Sequence, residues 1–318
     1  MQEFLVVLGA VLPVFCIMGA GAAVRRLEWL TAEADRALLQ LTINLLAPCL
    51  ILDSILGNAA LRQWQNLLVP PLVGFGTVVM GIALAWWVRH KAGLATEREQ
   101  RTFALATGMY NYGYVPIPLV LMLFADSPQG TLGVLFVHNV GTELALWTVG
   151  LVVLTGASPG REWRRIINAP VMSIILGLAL NLTGAYRWMP DFVLTTARML
   201  GQCAIPLGIL LIGATMADHI GDFHSRSAGR VMAAASLLRI GVLPVGFLAL
   251  AGYLPASVEL QRVIVLQAAM PAAVFPIVMA RHFNGDAPTA LRVVIATSVI
   301  SLISTPLWIR VGLSWIGD

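Results

Sequence analysis

The chain has little charge. Of its 318 residues only 11% are Asp, Glu, Lys or Arg, while 58% are hydrophobic. Soluble domains carry roughly 25% charged residues, and a fold this apolar has too little polar surface to cover its core. A soluble enzyme or soluble binding module is thereby excluded. Cysteine is scarce too. Cys16, Cys49 and Cys203 all fall inside apolar runs with no metal-binding spacing, which reads as apolar packing. No Gly-x-x-x-x-Gly-Lys stretch occurs, so the chain lacks the loop that cradles nucleotide phosphates, and direct ATP drive is not expected. Met1-Gln2-Glu3 supplies no positive charge ahead of the first apolar run, so that run is expected to be a retained span rather than a cleaved signal peptide. The net charge of +4 comes from loop Lys and Arg, and nucleic-acid binding is not needed to explain it.

What is abundant is apolar length. A spanning helix needs about 20 mainly apolar residues. The sequence predicts ten such spans, at 4–24, 37–56, 67–88, 102–124 and 132–154, then 169–182, 195–217, 231–253, 263–280 and 293–313. All are expected to be helical, because backbone facing lipid must satisfy its own polar groups. None shows the alternation of a barrel strand. Loops after odd-numbered spans hold fourteen Lys and Arg, among them Arg25, Arg26, Arg89, Lys91, Arg161, Arg164 and Arg281. Loops on the opposite side hold four: Arg62, Arg187, Arg262 and Arg310. Positive charge favours the cytoplasmic side. The expectation is a multi-pass protein of the cell membrane with both termini outside, in the inner membrane if the source is a Gram-negative bacterium.

The prolines repeat. Pro13, Pro48 and Pro118 in spans one, two and four match Pro170, Pro206 and Pro276 in spans six, seven and nine. The separation is 70 residues both from Pro48 to Pro118 and from Pro206 to Pro276 (118 − 48 and 276 − 206). Five spans per half is an odd number, so the second half enters the membrane inverted. The predicted fold class is an all-α integral membrane protein of ten helices, in two inverted five-helix repeats at 1–157 and 158–318. Inverted repeats mark secondary transporters.

Span four reads Thr107-Gly-Met-Tyr-Asn-Tyr-Gly-Tyr-Val-Pro-Ile-Pro118. Proline removes a backbone donor and clashes with the preceding turn, yet it suits the start of a helix. Two half-helices are therefore expected, one ending near Tyr110 and one starting near Pro116. Span nine has the matching break, Gln267-Ala-Ala-Met-Pro-Ala-Ala-Val-Phe-Pro276. Broken spans at equivalent places in inverted halves point to the solute site. Half-helix N-termini attract anions, so two of them at mid-membrane suit a carboxylate. The candidate site residues are Asn111, Tyr112, Gly113, Tyr114, Pro116 and Pro118, with Gln267, Met270, Pro271 and Pro276 from span nine. Asn44 and Gln202 each lie four residues before a kink proline. They either satisfy backbone freed by the proline or face the solute.

Deep charges are few. Glu143 and Arg239 lie near the middles of spans five and eight, where a charge costs at least about 2.5 kcal/mol on insertion scales. They either form an ion pair or couple transport to an ion. Asn139 and Glu143 share a helix face. An offset of 158 between the halves (276 − 118) carries them onto Thr297 and Ser301. These stripes either pack the broken helices or bind an ion, and His138 beside them is able to titrate near neutral pH. Asp53 and Arg198, near span ends, are expected to snorkel to the interface. His219 and His224, beside Asp218 and Asp222, make only a weak metal pattern, and no metal or cofactor is expected beyond a coupling proton or sodium ion.

At several of these residues the chain resembles the auxin efflux carrier family, whose bacterial members include malonate and malate permeases. The resembling segments are Leu12-Pro-Val-Phe15 with Gly19-Ala-Gly21, Asn44-Leu-Leu-Ala-Pro48, Asn111-Tyr-Gly-Tyr-Val-Pro-Ile-Pro118, Ile205-Pro-Leu-Gly-Ile-Leu-Leu-Ile-Gly-Ala214 and Ala269-Met-Pro271. The resemblance covers essentially the whole chain. It implies a scaffold from spans one, two, six and seven and a mobile domain from the rest, with spans four and nine crossing at the solute site. It implies organic anions as solutes, dicarboxylates among them, with Asn111 matching the crossover asparagine. The short link at 156–168 lacks the long loop of many plant members, which argues against auxin itself. The expected partners are a small organic anion, the lipid bilayer and a second copy of the chain in a homodimer, with no nucleic acid. The rival readings are a channel or solute sensor and, further off, a membrane enzyme.

Overall fold

The computed structural model describes residues 2–124, 128–157, 167–218 and 228–317, and among them every regular element is helical. The 25-residue α1 runs Gln2–Arg26. Helix α2 (Ala32–Leu41) passes through a π-helical turn at Thr42–Leu46 into α3 (Ala47–Ile55). Next come α4 (Gln65–Val88), α5 (Glu97–Gly108), α6 (Pro116–Leu123) and α7 (Pro128–Ala145), the last continued by a π turn into α8 (Leu151–Thr155). After the link come α9 (Ala169–Thr183) and α10 (Asp191–Ala217). Helix α11 (Ala228–Ser236) continues through a π turn at Leu237–Val242 into α12 (Leu243–Tyr253). The chain closes with α13 (Val258–Ala269), α14 (Phe275–His282) and α15 (Ala287–Ile316).

Seven helical runs among the described residues are long and apolar enough to cross a membrane, and α9 is a shorter apolar helix. The predicted spans four and nine are each two short helices, α5 with α6 and α13 with α14.

The sequence sets the boundaries locally. Helix α5 starts in a capping box: the Thr96 hydroxyl accepts from the Glu99 N–H at 3.2 Å, and the Glu99 carboxylate accepts from the Thr96 N–H at 2.9 Å. Ser257 and Asp286 cap α13 and α15 with side-chain oxygens. Two of the three π turns lead directly into a helix with proline in its first turn, Pro48 in α3 and Pro244 in α12. The widened turn absorbs the donor that the proline lacks.

Packing sorts the helices into two groups. In one, α10 lies along α1 and α3, and α3 also packs on α9. Gly21 and Gly213 sit where a Cβ would run into the facing backbone of α10 and α1. Such close approach is how helices associate in lipid, where apolar burial gives no drive. In the other group α4 packs on α5 and α7, and α15 packs on α5, α11 and α13. The groups meet where α1 touches α6 and α15. Asp53 and Arg198, expected to snorkel to the interface, bind one another at 3.1 Å and tie α3 to α10.

Candidate functional site

Helix α5 stops at Gly108 because Met109 turns to extended backbone, with φ −91° and ψ 117°. Helix α13 stops at Ala269 in the same way, with Met270 at φ −77° and ψ 140°. The two extended stretches then run antiparallel and pair. The Asn111 N–H donates to the Pro271 carbonyl at 2.8 Å, and the Ala273 N–H donates to the Met109 carbonyl at 2.9 Å, with Tyr110 opposite Ala272. Each interrupted helix thus supplies the partners that the other's unwound backbone needs. Prolines then restart both helices: Pro116 and Pro118 lie in α6, and Pro276 lies in the first turn of α14.

Four helix ends converge here. Helices α5 and α13 arrive with their carbonyl ends, and α6 and α14 leave with their amide ends. Between them lies a polar lining. The Tyr112 carbonyl accepts from the Asn139 amide at 2.9 Å and from the Gln267 amide at 3.3 Å. The Tyr112 hydroxyl donates to Glu143 at 2.5 Å, and the other Glu143 oxygen accepts from the Trp147 indole at 3.0 Å. Asn111 is 7% exposed, and its carboxamide makes no hydrogen bond among the described residues. The buried Gln267 Oε1 has no partner either. Gly113 has open space where a Cβ would stand.

The sequence-predicted residues divide on inspection. Asn111, Tyr112, Gly113, Tyr114, Gln267, Met270 and Pro271 come together at the crossing, and Pro116, Pro118 and Pro276 form the adjoining helix starts. Asn44 and Gln202 do not join them. Both are exposed, and Asn44 donates to the Gln40 carbonyl of its own helix at 3.0 Å. It satisfies local backbone ahead of Pro48 rather than facing the crossing.

Of the two readings left open for Glu143 and Arg239, the ion pair is absent among the described residues. Arg239 is fully buried, and it donates to the carbonyls of Met270 at 3.0 Å and Gln267 at 2.9 Å. Glu143 accepts from Tyr112 and Trp147 instead. The π turn at Leu237–Val242 places Arg239 against the end of α13, while Glu143 lies on α7.

The polar stripe of α15 packs the break. Thr297 accepts from the Ala272 N–H at 3.2 Å, and Thr305 donates to the Ala269 carbonyl at 2.9 Å. Ser301 bonds within its own helix, to the Ser298 carbonyl at 2.7 Å. His138 is buried, with Nδ1 3.4 Å from the Asn139 side-chain oxygen. His219, Asp222 and His224 lie outside the described residues.

Sequence reasoning missed Tyr110 as the centre of the crossing. It is fully buried, with its hydroxyl 2.9 Å from that of Thr77 and its ring edge-on to Phe247 at 5.6 Å. It also missed Gly208, which leaves room on α10 for the Tyr114 ring, so that the crossing loop touches the other helix group. The Ile205-Pro-Leu-Gly208 segment was the available signal.

The chain matches the family model described as "Membrane transport protein" over residues 6–162 and 159–309. It is 25% identical over 302 residues to an uncharacterized transporter of Methanothermobacter thermautotrophicus, covering 94% of this chain and 96% of that one. It is 24% identical over 321 residues to the uncharacterized transporter YfdV of Escherichia coli K12, covering 96% and 97% of the two chains. The chain is a multi-pass membrane protein and belongs to the membrane transport protein family, the auxin efflux carrier family that its motifs resemble.

Proposed function

We propose that the chain is a secondary carrier of small organic anions that works by alternating access. The carrying observation is that two interrupted helices cross back to back beside Asn111, a residue of 7% exposure whose carboxamide is left for a ligand. The amide ends of α6 and α14 beside it favour negative charge. Together these suit a carboxylate, with dicarboxylates such as malonate or malate as the first solutes to try.

In this reading α5 with α6 and α13 with α14 each count as one span. Ten spans then form two inverted halves, 1–157 and 158–318, with both termini outside. The group of α1, α3, α9 and α10 is the scaffold, and the group carrying the crossing moves against it. The Tyr114–Gly208 contact lies on that sliding boundary. Glu143 is assigned to coupling, because its carboxylate holds the Tyr112 hydroxyl of the crossing loop.

Uptake into proteoliposomes tests the reading. Mono- and dicarboxylates would be offered with imposed proton and sodium gradients. Saturable uptake with counterflow is expected. Non-saturating flux without counterflow would identify a channel and sink the carrier reading. Glu143→Gln should abolish the response to the driving gradient while leaving counterflow intact. An unchanged gradient response would make Glu143 structural.

A further inference from the structure

Arg239 stands out among the buried groups. Its relative exposure is 0%, in a segment where membrane depth makes a cation costly. Among the described residues no carboxylate lies within ion-pair distance of it. Its Nε and Nη2 are spent on the last carbonyls of α13, while the buried Nη1 has no partner. Its guanidinium carbon lies 5.2 Å from the ring centres of both Tyr110 and Phe247. Those ring faces and the carbonyl end of α13 are the compensation it has.

The four helix ends show what this charge does. Two carbonyl ends and two amide ends meet at the crossing, and their partial charges, each about half an elementary charge, nearly cancel at a distance. Helix ends alone therefore give the site little overall sign. Arg239 sits on the carbonyl end of α13 and outweighs it with a full positive charge. Glu143, the nearby acid, is held separately by Tyr112 and Trp147 on another helix.

We propose that Arg239 is the fixed cation that makes the crossing selective for anions, acting through its field on a carboxylate it does not touch. It is a positioning and selectivity residue, and it travels with the crossing because its bonds are to the crossing's own backbone. The inference rests on the anion-carrier reading above.

The test compares an acid with its uncharged amide. The probe is whichever of malonate, malate, succinate or lactate the native protein binds best, measured with the corresponding amide on native protein, Arg239→Lys and Arg239→Gln. Lys keeps the charge and loses the forked hydrogen bonding. The native protein and Arg239→Lys should prefer the acid by similar factors, within about threefold of each other. Arg239→Gln should lose about tenfold or more of that preference with amide binding unchanged. A preference retained by Arg239→Gln overturns the inference and leaves the carrier reading standing. If Arg239→Gln does not fold, Arg239→Lys decides alone: acid and amide binding lost in equal measure would make Arg239 a structural cap only. A native protein that binds none of the acids overturns the anion reading, and this inference with it.

Discussion

The two interrupted helices share a register but are closed in different ways. The offset of 158 residues that carries Pro118 onto Pro276 also carries Gly81 onto Arg239 (239 − 158). At the end of α5 the neighbouring helix comes in bare. A Cβ on Gly81 would lie 2.7 Å from the Gly108 carbonyl oxygen, and one on Gly108 would lie 2.7 Å from Gly81 backbone. At the end of α13 the same register position carries the longest side chain available, and its guanidinium caps the carbonyls. One break is closed by backbone contact and the other by a cation. On the proposed inverted-repeat reading, the break is kept in both halves and each half solves the loose helix end separately. The asymmetry gives the crossing a charge that a symmetric pair of helix ends lacks.

The largest effect is expected where backbone touches backbone. Gly108→Ala must push α5 off α4, a cost of about 1–3 kcal/mol for overpacking. It should appear as a lower unfolding midpoint in detergent, and an unchanged midpoint would show that the contact yields. Next comes Asn111→Ala, whose carboxamide has no partner to lose. Solute binding should weaken about tenfold, or about 1.4 kcal/mol, while the unfolding midpoint stays put. A falling midpoint with intact affinity would mark Asn111 as a packing residue. Thr305→Val removes one hydrogen bond to Ala269, on the side that Arg239 already caps. Such bonds in membrane proteins contribute about 0.6 kcal/mol, so only a slight loss of thermal stability is expected. Gln202→Ala should change neither stability nor binding by more than about 0.5 kcal/mol, as for surface substitutions generally. A clear loss of uptake would return Gln202 to the site.

The breaks were legible because proline and glycine act locally. Pro116, Pro118 and Pro276 stand where glycine and proline together interrupt the run and restart a helix, whereas Pro13, Pro206 and Pro306 are carried inside continuous helices, so it was the cluster and its matched spacing that located both interruptions. Depth in the membrane was legible for the same reason, since it follows from the apolar run. Direction around the helix axis was not. Asn44 and Gln202 are exposed and do not join the crossing; Asn44 lies in the π turn at Thr42–Leu46, which shifts the face that simple helical periodicity assigns. Arg239 is buried and Glu143 partly so, but sequence gives no angle between helices, so it left open whether the two pair, and they do not. Tyr110 was passed over because its partners, the Thr77 hydroxyl, the Phe247 ring and the Arg239 guanidinium, come from other helices, and sequence does not show which helices meet.

The most direct measurement is an experimental structure with a transported acid bound. The account predicts the carboxylate at the amide ends of α6 and α14, within hydrogen-bond reach of the Asn111 carboxamide and with Arg239 still on the carbonyls of α13. An acid seated elsewhere, or a crossing that stays closed to it while uptake proceeds, would contradict the account.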